Sequence, residues 1–352
     1  MKNLTAVVAI MAVFTLAVCF IILGSISTEL MSKLGTVFSF TCMIIQILIG
    51  PMVDKLGHKP LAIVGFLAAG VSICLLGFAT SFLTAIIATV LLGIGAICCN
   101  TVGNTLLPVV LFDGKDPARA SNFGSGFVGL GFVLVPLLIT AFMGTLGLDF
   151  TLSVCIIGVG VLVFLLPAVK AEYPQVSTGF RLAKAIRLLP NTAVLLAALA
   201  LICYIGLEWT MNNWTKPIML DVFRSHGSAN AAANAGIVLA MFGLAMGIGR
   251  FATSAIHNVS SIGTRIIGVA SIVAILALLV LSRAQTPLVA IMAILFIGLA
   301  YAPMFPTIVG VTFARFDPSV YGSVFGIIFS IGLIGSMILP KVIGYLSKDK
   351  PI

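Results

Sequence analysis

The chain has 352 residues, of which 61% are hydrophobic and 8% charged; its formal net charge is +9 and its mean hydropathy +1.25. No water-soluble domain hides that much apolar surface, so the surrounding solvent is lipid. The basic residues are scattered over short loops and form no stripe, which excludes a nucleic-acid partner.

A bilayer is crossed by about 20 apolar residues in helical form. That length predicts spans over residues 4–28, 35–55, 60–79, 81–109, 121–146 and 149–169. The first follows Lys2, is too long for a signal-peptide core and has no small-residue cleavage site after it, so it is expected to stay uncleaved. A polar stretch from Lys170 to Arg187 comes next, carrying Glu172, Arg181 and Lys184. Further spans are predicted over 190–221, 230–255, 262–283, 285–313 and 318–346. The expected architecture is therefore an all-α polytopic membrane protein of about 11 spans. It divides into a bundle at 1–169, a cytoplasmic linker at 170–189 and a second bundle at 190–352. The second bundle is one helix short of the first. Its tail, Ser347 to Ile352, reads as a loop toward a twelfth helix that is either naturally missing or truncated. Cys19, Cys42, Cys74, Cys98, Cys99, Cys155 and Cys203 lie in apolar runs without C-x-x-C spacing, so neither disulfide, metal nor other cofactor is expected.

Basic loop residues set the expected orientation. With the N-terminus in the cytoplasm, Lys55, Lys59, Lys115, Arg119, the 170–187 stretch, Arg250, Arg265 and Arg315 fall inside, and Lys33, Lys216, Arg224 and Arg283 outside. The inside set is larger, which predicts a cytoplasmic N-terminus in a cell's inner (plasma) membrane.

One turn between two apolar runs is crowded with charge: Gly50-Pro51-Met52-Val53-Asp54-Lys55-Leu56-Gly57-His58-Lys59-Pro60. The pattern Gly-x-x-x-Asp-Lys-x-Gly-His-Lys resembles the loop between the second and third helices of major facilitator superfamily transporters, with His58 where an arginine is usual. Met246-Gly247-Ile248-Gly249-Arg250-Phe251 holds the same place in the second half, so the halves read as parallel repeats with a site between them. The resemblance implies alternating access between two bundles. It also implies a gating latch at Asp54, whose carboxylate would face the start of the eleventh span near Val320–Gly322, where the helix dipole favours an anion. Lys55 and Lys59 would hold that gate from the cytoplasmic side, and Arg250 would gate the second half; for Arg250, simple positive-inside anchoring is the alternative.

Charge inside the membrane is costly, about 2.5–3.5 kcal/mol per group on insertion scales. One acid lies well inside an apolar run: Glu208. On a helix Tyr204, Glu208 and Asn212 share a face, with Trp209 and Asn213 beside it. Acceptors, donors and flat rings in that arrangement suit a hydroxyl-rich solute; packing bonds and an interfacial aromatic belt are the bland alternative. In the first half, Asn100, Asn104 and the lone Gln46 are candidates for the same cavity, or for knitting helices together. Tyr204-x-Gly206-x-Glu208, Gly249-Arg250-Phe251, Phe305-Pro306-Thr307-Ile308 and Ala120-Ser121-Asn122-Phe123 before Gly129-x-Gly131 are similar to the fucose–galactose–glucose proton symporter branch. That branch often carries acids on its first and fourth helices. Here the end of the first span reads Ser25-Ile26-Ser27-Thr28-Glu29, with Glu29 expected at the outer surface, and the fourth offers only amides. Proton coupling would then rest on Glu208, or the protein is a uniporter.

The letters Gly124-Ser125-Gly126-Phe127-Val128-Gly129 match a dinucleotide fingerprint but sit in an apolar helix with no strand before it, so they are expected to pack helices. Gly243-x-x-x-Gly247 is expected to do the same. No enzyme motif is present: there is no H-E-x-x-H and no G-x-S-x-G. The expected function is secondary transport of a small polar solute, a monosaccharide, by a monomer in a lipid bilayer. Another small polar metabolite, or a non-transporting or truncated membrane protein, is the alternative.

Overall fold

The computed structural model describes residues 2–24, 28–174 and 187–346. Arg181 and Lys184 of the linker, Ser25–Ser27 and the tail from Ser347 lie outside the described residues. The described chain is helical throughout and runs α1 Lys2–Gly24, α2 Thr28–Leu56, α3 His58–Gly77, α4 Phe82–Val110, α5 Pro117–Gly144, α6 Phe150–Val163 and α7 Leu165–Lys170. It continues α8 Thr192–Ser225, α9 Ala231–Ala255, α10 Val259–Leu281, α11 Pro287–Tyr301, α12 Met304–Phe313 and α13 Tyr321–Leu346. Helices α6 with α7, and α11 with α12, each make one membrane-length unit, so the described residues hold 11 segments long and apolar enough to span a bilayer.

The predicted spans and the helices agree closely, and the differences have local causes. The first span stops at Gly24 and α2 already begins at Thr28, so Glu29 belongs to the start of the second helix and not to the end of the first. The span predicted at 285–313 is broken between Tyr301 and Met304, where Pro303 and Pro306 remove two backbone donors. The span at 149–169 breaks at Phe164, three residues before Pro167. Helical structure continues past Pro136 and Pro340. Helix starts are set by polar caps: Ser81 and Thr84 form a capping box on α4, and the Asn191 side chain accepts from the Ala193 and Val194 amides at the start of α8.

Two buried clusters form the interior. One draws on α1–α7 with Leu333 of α13, and has Phe38, Phe66, Ile73, Leu92 and Leu106 among its fully buried members. The other draws on α8–α13, with Phe242, Tyr301, Phe313 and Phe325. Large exposed apolar side chains such as Leu83, Ile272, Leu276 and Leu288 ring the outside, as a lipid-facing surface requires.

Glycines decide how closely the bundles meet. A Cβ on Gly50 of α2 would lie 2.5 Å from the Gly322 carbonyl oxygen and 2.8 Å from Gly326 Cα on α13. A Cβ on Gly310 of α12 would lie 2.1 Å from Ala118 Cα on α5. Gly129 of α5 meets Gly247 of α9 backbone to backbone, whereas Gly243 faces open space, so only half of the expected Gly243–Gly247 packing face is used.

Candidate functional site

Glu208 lies in the middle of α8, one turn beyond Tyr204. Across from them α9 carries Gly249 and Arg250. A Cβ on Gly249 would sit 2.6 Å from Ala302 Cβ, so the glycine lets α9 ride close against the broken α11–α12 unit. That approach delivers Arg250 to an acceptor the break has created. In an unbroken helix the Ala302 carbonyl would take the amide of residue 306, but Pro306 has no N–H. Arg250 Nε donates to Ala302 O instead, at 3.3 Å. Its Nη2 donates to Tyr204 Oη and Glu208 Oε1, each at 3.4 Å, and its Nη1 to Ser125 O of α5, in the other bundle, at 3.2 Å. The two charged side chains are 6% and 23% accessible, arginine first, so the pair is largely withdrawn from solvent with the carboxylate at its more open edge.

Arg250 therefore stands apart from where its sequence position suggested. It is buried inside α9 and forms the one ion pair found among the described residues. Aromatic rings wall the pair: Tyr301 lies edge-on to Tyr204 at 6.1 Å between centroids, and Phe305 tilts against it at 6.2 Å. Tyr301 Oη is buried with no hydrogen-bond partner among the described residues.

The other sequence candidates fall into separate groups. Asn212 is exposed, and its amide donates back to the Glu208 carbonyl of its own helix at 2.9 Å. Trp209 reaches the first bundle, its ring 5.9 Å from that of Phe20 on α1. Asn104 Nδ2 donates to Asn100 Oδ1 at 2.8 Å, and both residues are buried on α4; Asn100 Nδ2 has no partner among the described residues. Gln46 is fully buried on α2, where its amide donates to Thr101 Oγ1 at 3.1 Å. No hydrogen bond joins Asn100, Asn104 or Gln46 to Glu208 among the described residues. His58, at the head of α3, bonds Thr105 Oγ1 of α4 at 3.1 Å.

One end of the molecule is stitched shut by carboxylates. Asp54, 7% exposed at the end of α2, accepts from the Gly322 amide at 2.8 Å, the Ser323 amide at 2.7 Å and the Ser323 hydroxyl at 2.5 Å. These are orphan donors of the first turn of α13, and the anion meets the positive end of that helix. Lys55 and Lys59 beside it are exposed and have no ion pair among the described residues. A second acid does the same at the other seam. Asp116, also 7% exposed, accepts from the amides of Val259 at 2.8 Å and Ser260 at 2.9 Å and from the Ser260 hydroxyl at 2.6 Å, at the start of α10. Next to it Arg119 Nε donates to Ser254 O at 2.8 Å, and Asn122 Nδ2 to Thr307 Oγ1 at 3.0 Å. Asp116 was not among the sequence candidates. The signal was present in Asp116-Pro117-x-Arg119, an N-cap acid followed by proline at the first helical position, but nothing local says that its carboxylate serves a second helix more than 140 residues away.

The family model described as Major Facilitator Superfamily matches residues 3–340. The chain belongs to that superfamily, whose members are transporters. No curated protein matches it in sequence. Among solved structures it is similar to the E. coli fucose:proton symporter FucP, at 18% identity and TM-score 0.77, covering 98% of this chain and 90% of that one. It is similar to the human organic anion transporter MFSD10, at 15% identity and TM-score 0.74, covering 98% and 94%. It is similar also to the proton:xylose symporter XylE bound to 6-bromo-6-deoxy-D-glucose, at 12% identity and TM-score 0.74, covering 99% and 89%. At these identities the likeness is one of fold.

Proposed function

We propose that the protein carries a small hydroxyl-rich solute, a monosaccharide, by alternating access between the α1–α7 and α8–α13 bundles, acting as a monomer. The observation that carries this reading is the Glu208–Arg250 pair, tied through Ser125 O to the opposite bundle. A charged pair at membrane depth is expensive, and a pathway between bundles is where such a pair has a use. Glu208 would accept from sugar hydroxyls, Tyr204 would donate, and Trp209 would offer an apolar face. Asn212 would serve nearer the mouth, and Asn100, Asn104 and Gln46 would contribute from the first bundle. Glu208 is also the acid we assign to proton coupling. Asp54 acts as a gate by capping α13, with Lys55 and Lys59 as its basic flank; Asp116 acts likewise on α10. In this reading the closed end faces the cytoplasm and the membrane is the plasma membrane; the excess of basic residues at that end supports the orientation. FucP and XylE, both proton-coupled sugar carriers by description, share the fold, which supports the sugar reading.

A second reading has its own observation. The buried cation Arg250, with a fold shared by an organic anion transporter, suits a small organic anion that would displace Glu208 from the guanidinium. Uptake of labelled monosaccharides and of labelled organic anions into vesicles separates the two. Saturable sugar uptake driven by a pH gradient is expected, with at least a tenfold loss in Glu208→Gln. Counterflow without a gradient would make the protein a uniporter, anion uptake alone would favour the second reading, and no uptake of either would overturn both.

A further inference from the structure

The connection between α4 and α5 turns left-handed on residues that resist it. Phe112 and Asp113 stand at φ 51° and 56°, and Gly114 follows at 70°. Hydrogen bonds from Gly114 N to Leu111 O at 3.0 Å and from Lys115 N to Phe112 O at 3.1 Å close the turn. In this region the Cβ of an L-residue crowds the following carbonyl oxygen. Glycine escapes the clash, asparagine and aspartate bear it singly, and a bulky aromatic is an outlier. Elsewhere among the described residues such places go to Gly57, Gly147, Gly227 and Asn258. Strain of this kind persists only where neighbours over-determine it.

The neighbours here lie on both sides of the Asp116 seam. The Arg119 guanidinium sits 4.0 Å from the centre of the Phe112 ring, and Nε of the same side chain donates to Ser254 O of α9 at 2.8 Å. The Phe112 ring also meets Phe123 edge-on at 6.4 Å, and Phe123 meets Phe251 of α9 at 6.0 Å. Just beyond the turn comes Asp116 itself, whose carboxylate takes the first amides of α10. The contacts that hold the turn therefore run through contacts between the bundles.

We propose that residues 112–114 are a spring set against the Asp116 clamp: the closed seam holds the turn left-handed, and parting α5 from α9 lets it relax. The proposal rests on the reading of the two bundles as alternating. Asp116 and Arg119 favour the closed seam, and relief of the turn favours the open one. The opposition keeps a well-bonded seam from locking, so a loaded carrier opens it at modest cost.

Spin-labelled residues introduced genetically at the exposed positions Lys170 and His257, one in each bundle, leave the cysteines and the turn untouched. Distance distributions by double electron–electron resonance then report closed and open fractions in the full chain. Asp113 is exposed, so its replacement opens no cavity. Asp113→Gly, which removes the clash, is expected to lower the open fraction about fivefold. Asp113→Ala loses the same carboxylate but keeps the Cβ, and is expected to stay within about twofold of native. In an Arg119→Gln background the turn has lost its hold and relaxes in either state, so the same glycine is expected to change the open fraction by less than about twofold. The glycine and alanine chains are compared again in Asp116→Asn, whose weaker clamp enlarges the open fraction where that of the native chain is small. Two distances with equal fractions in the glycine and alanine chains, or an undiminished glycine effect beside Arg119→Gln, overturn the spring and leave alternating access standing. A single distance in every chain, Asp116→Asn included, overturns the alternating reading and the spring together.

Discussion

At the residue scale two aspartates carry most of the closed end. Each accepts from two consecutive amides and a serine hydroxyl at the start of a helix in the opposite bundle, so each is at once a cap, a dipole partner and a clamp. Asparagine keeps one acceptor oxygen but loses the charge and turns a donor toward amides. Asp54→Asn is therefore expected to weaken the seam by about 1–2 kcal/mol, read as a lowered melting temperature and slower uptake. Asp116→Asn should cost a similar amount. Their hydrogen bonds described above go to different helices, α13 and α10, so their effects should add in the double variant; a double variant no worse than either single would mean that only one clamp bears load. The contrast between Glu208 and Asp116 marks how far single residues can be read from sequence. Glu208 stands out because an acid inside an apolar run has a cost that needs a cause. Asp116 sits at a helix start, where an acid is ordinary, and its cross-bundle role exists only once the chain is folded. Arg250 lies between these cases: its place at the end of a span was legible, but its partners are 42 to 125 residues away.

At the scale of elements, breaks matter as much as helices. Hydropathy located each span to within a few residues because burial in lipid imposes length directly. Pro303 and Pro306 mark in the sequence where the unit 287–313 kinks, but nothing local says that the break leaves a carbonyl for Arg250. Pro306→Ala would return an amide to Ala302 O and set it in competition with Arg250 Nε. The expected outcome is a chain at least as heat-stable as the native one whose transport rate falls about tenfold; an unaltered rate would show that the break is not used. Close approach of helices is the other element-level device. Gly50→Ala puts a methyl 2.5 Å from a backbone oxygen of α13, where nothing flexible can yield. The α2–α13 seam must then widen, so this variant is expected to expose the closed end to a water-soluble thiol reagent aimed at a cysteine placed at Ser323, faster than in a Gly50 chain bearing the same cysteine.

For the whole molecule, the hydrogen bonds at Asp54, Asp116, Arg119, Asn122 and Arg250 all gather toward the end where α2 and α9 finish and α5, α10 and α13 begin. Which compartment that end faces decides what the structure represents. If it faces the cytoplasm, the pathway is closed inside and the Glu208 edge is reached from outside, the state in which an importer waits for solute. The cytoplasmic orientation is the one we propose, on the ground that Lys55, Lys59 and Lys115 lie at the closed end and Lys216 and Arg224 at the other, and cytoplasmic loops collect the excess of basic residues. All four lysines are exposed, so they can be read chemically. A membrane-impermeant amine reagent applied to intact cells is expected to modify Lys216 and to reach Lys55, Lys59 and Lys115 only after permeabilisation, as peptide mass mapping would record. The reverse pattern would turn the molecule over: the two aspartate clamps would then be an outer gate, and Glu208 would await its solute from the cytoplasm.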